Sequence, residues 1–198
     1  MLSLSGHKIY GPKGIGALYI KNGIKIEKYI NGGHQEKNLR AGTENVAGIV
    51  GLGKACELAR INLDLHMQKL KELKDYYISE VERKVPDIKI NGSRENRLPG
   101  NSNISFKYIE GEELLLKLDA KGICASSGSA CTSGSPEPSH VLTAIGLPKD
   151  LAYGSLRITF GEENTKQDVD YLINTLIKEV QELRDKSPEY KEFIKLQK

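Results

Sequence analysis

The sequence contains no tryptophan and only three phenylalanines among its 198 residues. Aromatic platforms on which nucleic-acid bases could stack are therefore not indicated. The 29 basic and 26 acidic residues nearly balance and are interspersed, which leaves no basic face of the kind that binds nucleic acid. No signal peptide and no long apolar run is present, so we expect a cytoplasmic protein that does not cross a membrane.

Cysteine is also scarce. The three cysteines, Cys56, Cys124 and Cys131, are an odd number and lack the spacing of metal ligands. This pattern predicts a reducing compartment, no disulfide framework and no metal site. A chain of this length can bury one sizeable core or two small ones.

The segment 122–138, GICASSGSACTSGSPEP, is rich in small and polar residues around Cys131. It has little apolar area to bury, so we expect a mobile surface loop. Two interpretations stay open from these residues alone. The segment is either a flexible linker with an incidental thiol, or it presents a chemically accessible thiol.

Lys8 lies in a second segment of interest, because three glycines and one proline follow it within eight residues. An ordinary solvated lysine is one interpretation. The other is that glycine allows the backbone to approach a ligand, with Ser5 and His7 available to hold an anion.

Two further residues admit a functional and an ordinary interpretation. Thr43 precedes a predicted helix and either helps to cap it or offers the helix start to a phosphate. Arg157 stands between Leu156 and Ile158 in an apolar strand, where a guanidinium either faces solvent or pairs with a carboxylate.

Hydrophobic periodicity predicts a long amphipathic helix that Pro86 ends. Beyond it, strands and helices alternate, which predicts a small α/β sandwich followed by a polar tail from Asp185 that is loose apart from Tyr190, Phe193 and Ile194. The predicted helices are 61–85, 112–121, 139–145 and 167–184, and the predicted strands of this part are 88–90, 102–107, 122–125 and 155–160.

Four segments together resemble the cysteine desulfurases of the nitrogen-fixation and iron-sulfur-assembly type, which are class V aminotransferase-like enzymes. The segments are SLSGHKIYGPKGIGALYI at 3–20, GGHQEKNLRAGTEN at 32–45, SSGSACTSGSPEPSHVL at 126–142 and GSLRITFG at 154–161. The resemblance implies an α/β fold, the C-terminal part of a fold-type I pyridoxal-phosphate-dependent transferase. Residues 1–60 would then be a remnant of the large cofactor-binding domain, 61–86 a connecting helix, and 87–198 a small C-terminal α/β domain with the cysteine loop.

The resemblance also implies roles for single residues. Lys8 would form the Schiff base with pyridoxal 5'-phosphate and then move the α-proton of L-cysteine, while Ser5 and His7 would bind the cofactor phosphate. Thr43 would reach the phosphate of the neighbouring subunit in a homodimer. Arg157 would hold the substrate carboxylate. Cys131 would take the sulfur as a persulfide and pass it to an acceptor or cluster scaffold protein, leaving L-alanine.

The resemblance covers the C-terminal half of that family. The histidine that stacks on the cofactor ring and the aspartate that pairs with its nitrogen belong to the other half. We therefore expect the chain to be inactive alone, as a fragment, a truncated gene product or a split enzyme completed by an N-terminal half. Selenocysteine lyase and a non-enzymatic persulfide-carrying or partner-binding module are the alternatives.

Overall fold

The computed structural model describes residues 1–127 and 138–197. Within it the chain forms two compact units, Met1–Asp64 and Leu65–Lys198. The three-part division predicted at residues 60 and 86 stays a prediction.

The first unit begins with a small antiparallel sheet. Strands β1 (Leu2–Ser5) and β2 (Gly16–Tyr19) pair in a register that places Ser5 opposite Gly16. A 3₁₀ turn, Gly6–Ile9, follows β1 directly, and helices α1 (Gln35–Asn38) and α2 (Val46–Ile61) complete the unit. The leading apolar strand therefore has a partner close by in sequence.

Helix α2 begins where the sequence predicts a cap. The side chain of Asn45 accepts a hydrogen bond from the Gly48 amide at 3.1 Å, which satisfies one of the free N–H groups of the first turn. Asn45 is thus the capping residue, and the hydroxyl of Thr43 is not needed for this purpose.

The second unit is a three-stranded antiparallel sheet with helices on one face. The sheet order is β3-β4-β5. The unit contains two helices, α6 and α8, that the sequence did not predict. The elements are α3 (Leu63–Lys84), β3 (Ile88–Ile90), β4 (Asn101–Phe106), α4 (Gly111–Asp119), α5 (His140–Ala144), α6 (Lys149–Tyr153), β5 (Ser155–Thr159), α7 (Lys166–Lys186) and α8 (Pro188–Leu196).

One face of this sheet carries the core. Ile104 and Phe106 of β4 and Leu156 and Ile158 of β5 are buried against apolar residues of α3, α4 and α7. Each fully buried side chain of this size contributes about 1.5–3 kcal/mol. The predicted α/β sandwich is therefore present, and its packing leaves the opposite sheet face free for polar residues.

Two sequence predictions for this unit are wrong. Residues 122–125 form no strand, since Gly122 adopts a positive φ of 74° and the chain reaches the sheet only at a single bridge from Ser126 to Arg157. The tail is not loose either, because it forms α8, which packs through Tyr190 and Phe193, two of the three residues that the prediction excepted. Phe193 stacks on Tyr108 with ring centroids 5.0 Å apart, and Tyr190 lies 5.6 Å from the same ring.

Across the described ranges, the model contains no helix with both the length and the apolar character needed to span a bilayer.

Candidate active site

The turn that carries Lys8 is held by its own backbone and by glycines. The Gly6 amide donates to the Ile15 carbonyl at 2.9 Å, and the Gly11 amide donates to the Gly6 carbonyl at the same distance. A Cβ on Gly6 would lie 2.9 Å from the Ile15 side chain, so no larger residue fits there. The glycine-rich composition that drew attention to this segment therefore has a structural reason.

Helix α2 supports this turn from beneath. A Cβ on Gly51 would lie 2.5 Å from the Pro12 ring, and a Cβ on Gly11 would lie 3.2 Å from the Ala55 side chain. The small residues Gly51 and Ala55 of α2 therefore permit close approach, and the element that approaches is the segment that follows Lys8.

Lys8 presents its amine to solvent. The side chain is exposed, and within the described residues it has no hydrogen bond or ion pair. Ser5, the last residue of β1, and His7 of the same turn are exposed as well. An amine, a hydroxyl and an imidazole thus share one rigid turn.

Thr43 lies exposed in the same unit, shortly before α2 begins at Val46. The preceding Gly42 has φ 110° and its amide donates to the Gln35 side chain at 3.1 Å. That amide is already engaged, so Thr43 is the part of the pair that remains available to an anion.

Arg157 lies in the second unit, on the polar face of the sheet. In β5 it alternates with the core residues Leu156 and Ile158, so its side chain leaves the sheet on the side away from the core. It is half-buried, and no carboxylate pairs with its guanidinium among residues 1–127 and 138–197. Both interpretations of Arg157 from the sequence therefore stay predictions.

The polar face around Arg157 is built from asparagine and serine. Asn103 of β4 stands directly opposite Arg157, and Ser105 stands opposite Ser155. Ser105 and Ser155 are fully buried, as is Asn91, which is 3% exposed and follows β3. A small cleft of about 340 Å³ opens at the end of this face, lined by Arg157 with Asn101, Thr159 and neighbouring apolar residues.

The chain that leads to Cys131 is attached at the same place. The Arg157 amide donates to the Ser126 carbonyl at 2.6 Å, and the Ser126 amide donates to the Arg157 carbonyl at 3.2 Å. The hydroxyl of Ser155 donates to the Ser127 carbonyl at 3.3 Å. Cys131 itself lies outside the described residues, and its predicted role stays a prediction.

A larger cleft of about 570 Å³ contains none of the predicted site residues. Its lining includes Lys71, Lys74 and Asp75 of α3. Asp75 receives hydrogen-bonded ion pairs from both lysines, at 2.7 and 3.0 Å. Both cations thus have a carboxylate partner, whereas Arg157 has none within the described residues.

Asn91, Asn103 and Ser155 are not among the residues predicted from the sequence. A usable signal was present in β4, where Asn101, Asn103 and Ser105 alternate with Ser102, Ile104 and Phe106. In a strand such alternation separates two faces, so the asparagines could have been assigned to the face that also carries Arg157.

Comparison with known proteins places these features in a family. The model of the aminotransferase class-V family matches residues 1–172. A protein named cysteine desulfurase IscS, from Dictyoglomus turgidum, is 54% identical over 198 residues, which is 100% of this chain and 50% of that protein.

Solved structures agree. The X-ray structure of a NifS-like protein from Rickettsia africae superposes with a TM-score of 0.81 and 33% identity over 90% of this chain and 47% of that one. A structure described as SspA in complex with cysteine superposes with a TM-score of 0.58 and 34% sequence identity. The match covers 80% of this chain and 43% of that one. The chain spans about half the length of the relatives it matches. It belongs to the aminotransferase class-V family, and its predicted resemblance to the cysteine desulfurases and its α/β fold class are confirmed.

Proposed function

We propose that this chain is part of a pyridoxal-phosphate-dependent cysteine desulfurase, which converts L-cysteine to L-alanine and transfers the sulfur to Cys131. The observation that carries the proposal is the double role of Arg157. Its guanidinium is half-buried and has no partner among the residues that the structure describes, and its backbone holds Ser126, the start of the segment that leads to Cys131. An anchor for a substrate carboxylate and the base of a thiol-bearing segment are thereby joined at one residue.

The residues of the Lys8 turn suit the proposed cofactor. Lys8 offers a solvent-facing amine on a turn whose close packing requires glycine, while Ser5, His7 and Thr43 offer hydroxyl and imidazole donors for a phosphate. When bound, pyridoxal phosphate supplies an aldehyde for amines and a ring that accepts negative charge from the α-carbon of the substrate.

The chain's own residues would then act in order. Arg157 holds the carboxylate of L-cysteine in a bidentate contact. Lys8 takes the α-proton and returns one to the carbon skeleton as it becomes alanine. The Cys131 thiolate attacks the sulfur of the bound substrate, so that an S–S bond forms while the C–S bond breaks and its electron pair stays on carbon.

Further proposals follow for partners and location. The persulfide on Cys131 would pass to a sulfur-acceptor or cluster scaffold protein, and Thr43 would serve a neighbouring subunit in a homodimer. Cys56 and Cys124 are free and exposed, which suits a reducing compartment, and we place the enzyme in the cytoplasm.

The test uses an assembled enzyme. The part of the Dictyoglomus turgidum relative that this chain does not match is joined to residues 1–198, and L-alanine and sulfide release from L-cysteine are measured. Borohydride reduction followed by peptide mass spectrometry locates any lysine-bound cofactor. We expect the cofactor on Lys8, lost in Lys8→Ala and retained in Lys13→Ala, a nearby exposed lysine.

Variants at Cys131 separate the alternatives. We expect Cys131→Ser to abolish desulfuration of L-cysteine while the cofactor remains on Lys8. Full activity on L-cysteine in Cys131→Ser would overturn the proposed sulfur transfer. An assembled enzyme that turns over only selenocysteine would indicate the lyase. Absence of cofactor on Lys8, with Cys131 accepting a persulfide from another desulfurase, would indicate the carrier module.

A further inference from the structure

The residue directly opposite Arg157 on the polar face of the sheet is Asn103. Side chains of directly opposite residues in an antiparallel pair leave the sheet on the same side, with Cβ atoms about 5 Å apart. Both residues are half-buried. A small anion held by the Arg157 guanidinium would therefore lie within reach of the Asn103 amide.

The orientation of that amide is set from the other side of β4. Asn91, which follows β3, donates its Nδ2 to Asn103 Oδ1 at 2.7 Å and to Ser105 Oγ at 2.9 Å. The oxygen of Asn103 is thus engaged toward β3. Its Nδ2 donates to no acceptor among the residues that the structure describes.

We infer that Asn103 is a second substrate-binding residue, which donates a hydrogen bond to the carboxylate that Arg157 holds. The inference rests on the proposed function and names a further residue of its substrate site. A carboxylate has lone pairs for about four hydrogen bonds, so it accepts two from a guanidinium and still takes a third from an amide. Because the Asn103 amide is neutral and Asn91 fixes its orientation, it adds direction to the contact without adding charge.

The experiment uses the assembled enzyme and compares L-cysteine with L-cysteine methyl ester. A hydrogen bond to a charged group is among the stronger ones, so we expect Asn103→Ala to raise KM for L-cysteine about tenfold. The ratio of kcat/KM for L-cysteine to kcat/KM for its methyl ester should fall. The ester has no charged carboxylate, so it does not lose a hydrogen bond to one when Asn103 is replaced. A purely structural role of Asn103 would weaken both substrates alike and leave that ratio unchanged.

Two variants sharpen the result. Asn103→Asp keeps an acceptor for Asn91 Nδ2 and so preserves the buried network, but it replaces the free donor with a second acceptor beside the substrate carboxylate. We expect a loss on the order of a hundredfold for L-cysteine in this variant. Ser102→Ala is the control at the neighbouring position of the same strand, because Ser102 faces the core and its hydroxyl donates to the Ile158 carbonyl at 3.4 Å. It should retain nearly full activity.

A binding measurement separates this inference from the proposed function. Calorimetry with 3-mercaptopropionate, which carries a carboxylate and a thiol but no amine, should give an affinity about tenfold weaker in Asn103→Ala. If the wild type binds this probe through Asn103 but does not turn over L-cysteine, the proposed function fails alone. The inference is overturned if the wild type desulfurates L-cysteine and Asn103→Ala changes neither the acid-to-ester ratio of kcat/KM nor the affinity for 3-mercaptopropionate. Wild-type turnover in Asn103→Asp would overturn it as well.

Discussion

Gly51 of α2 lies directly against Pro12, so closely that a Cβ on Gly51 would approach the proline ring to 2.5 Å. The proline ring is rigid and its segment continues the turn that carries Lys8. Glycine at this position is therefore required by packing and not by the helix, which glycine weakens.

Replacing this glycine tests the support of the Lys8 turn. Alanine is the better helix former by about 1 kcal/mol, but we expect the clash of Gly51→Ala with Pro12 to cost about 1–3 kcal/mol and to prevail. The measurements are the free energy of unfolding and the fraction of cofactor fixed to Lys8.

Gly53 in the same helix is the matched control, since a Cβ there would meet nothing within 4 Å. Gly53→Ala should stabilise the chain by about 1 kcal/mol. Equal effects of the two alanines would mean that the contact with Pro12 does not position the turn.

The attachment of residues 126–127 to β5 gives a second prediction. Ser155 is fully buried and its hydroxyl donates to the Ser127 carbonyl. Ser155→Ala removes this hydrogen bond, which contributes about 1 kcal/mol. We therefore expect the variant to speed hydrogen exchange of the Ser126 amide about fivefold. Ser102→Ala, which removes a buried hydroxyl from the core face of the same sheet, should leave this exchange rate unchanged. Unaltered exchange in Ser155→Ala would contradict the prediction.

Arg184 provides a prediction for the fold of the second unit. This arginine is 1% exposed and has no carboxylate partner within the described ranges. It donates instead to the carbonyls of Pro86, Asp87 and Lys107, at 2.9, 3.1 and 3.2 Å, and burial lowers its pKa. Arg184→Met would remove all three of these hydrogen bonds, although the Asp87 carbonyl still accepts one from the Lys107 amide at 3.0 Å, so we expect a loss of about 3 kcal/mol in unfolding free energy.

The comparison for that variant is Arg83→Ala. Arg83 forms an exposed ion pair with Glu80, and its side chain is 63% accessible. Such exposed pairs contribute little, so Arg83→Ala should leave the stability in chemical denaturation nearly unchanged. A similar cost for both arginines would show that the carbonyl contacts of Arg184 do not stabilise the fold.

Helix α7 begins with a capping box that makes stability depend on pH. The Thr165 backbone amide donates to the Asp168 carboxylate at 2.8 Å, and the Thr165 hydroxyl donates to the same carboxylate at 3.0 Å. These bonds lower the pKa of Asp168 from the usual 3.8. A depressed pKa means that the folded state favours the charged carboxylate. The contribution is complete above the unfolded pKa and disappears as the pH falls through the folded value.

We therefore expect the stability difference between wild type and Asp168→Asn to be largest near neutral pH. It should shrink as the pH falls from about 5 to about 2. Urea denaturation at a series of pH values measures it, and a difference that stays constant or grows on acidification would refute the role of the charge.

Local chemistry determined much of what the sequence reveals about this protein. Glycine and proline around Lys8 predict a tight turn, Asn45 and Pro86 mark the start and end of helices, and alternation places Arg157 in a strand. These features depend on neighbours within a few residues, so their physical causes are visible in the sequence.

Only the tertiary structure decided which distant residues meet. Asn103 and Ser126 both lie opposite Arg157, on the two sides of β5. This arrangement depends on strand register, which core packing sets between residues far apart in sequence. The same long-range packing replaced the predicted strand at 122–125 with one bridge and ordered the tail through Tyr108. Local patterns therefore identified the groups that act, while burial of the opposite sheet face determined which of them share one surface.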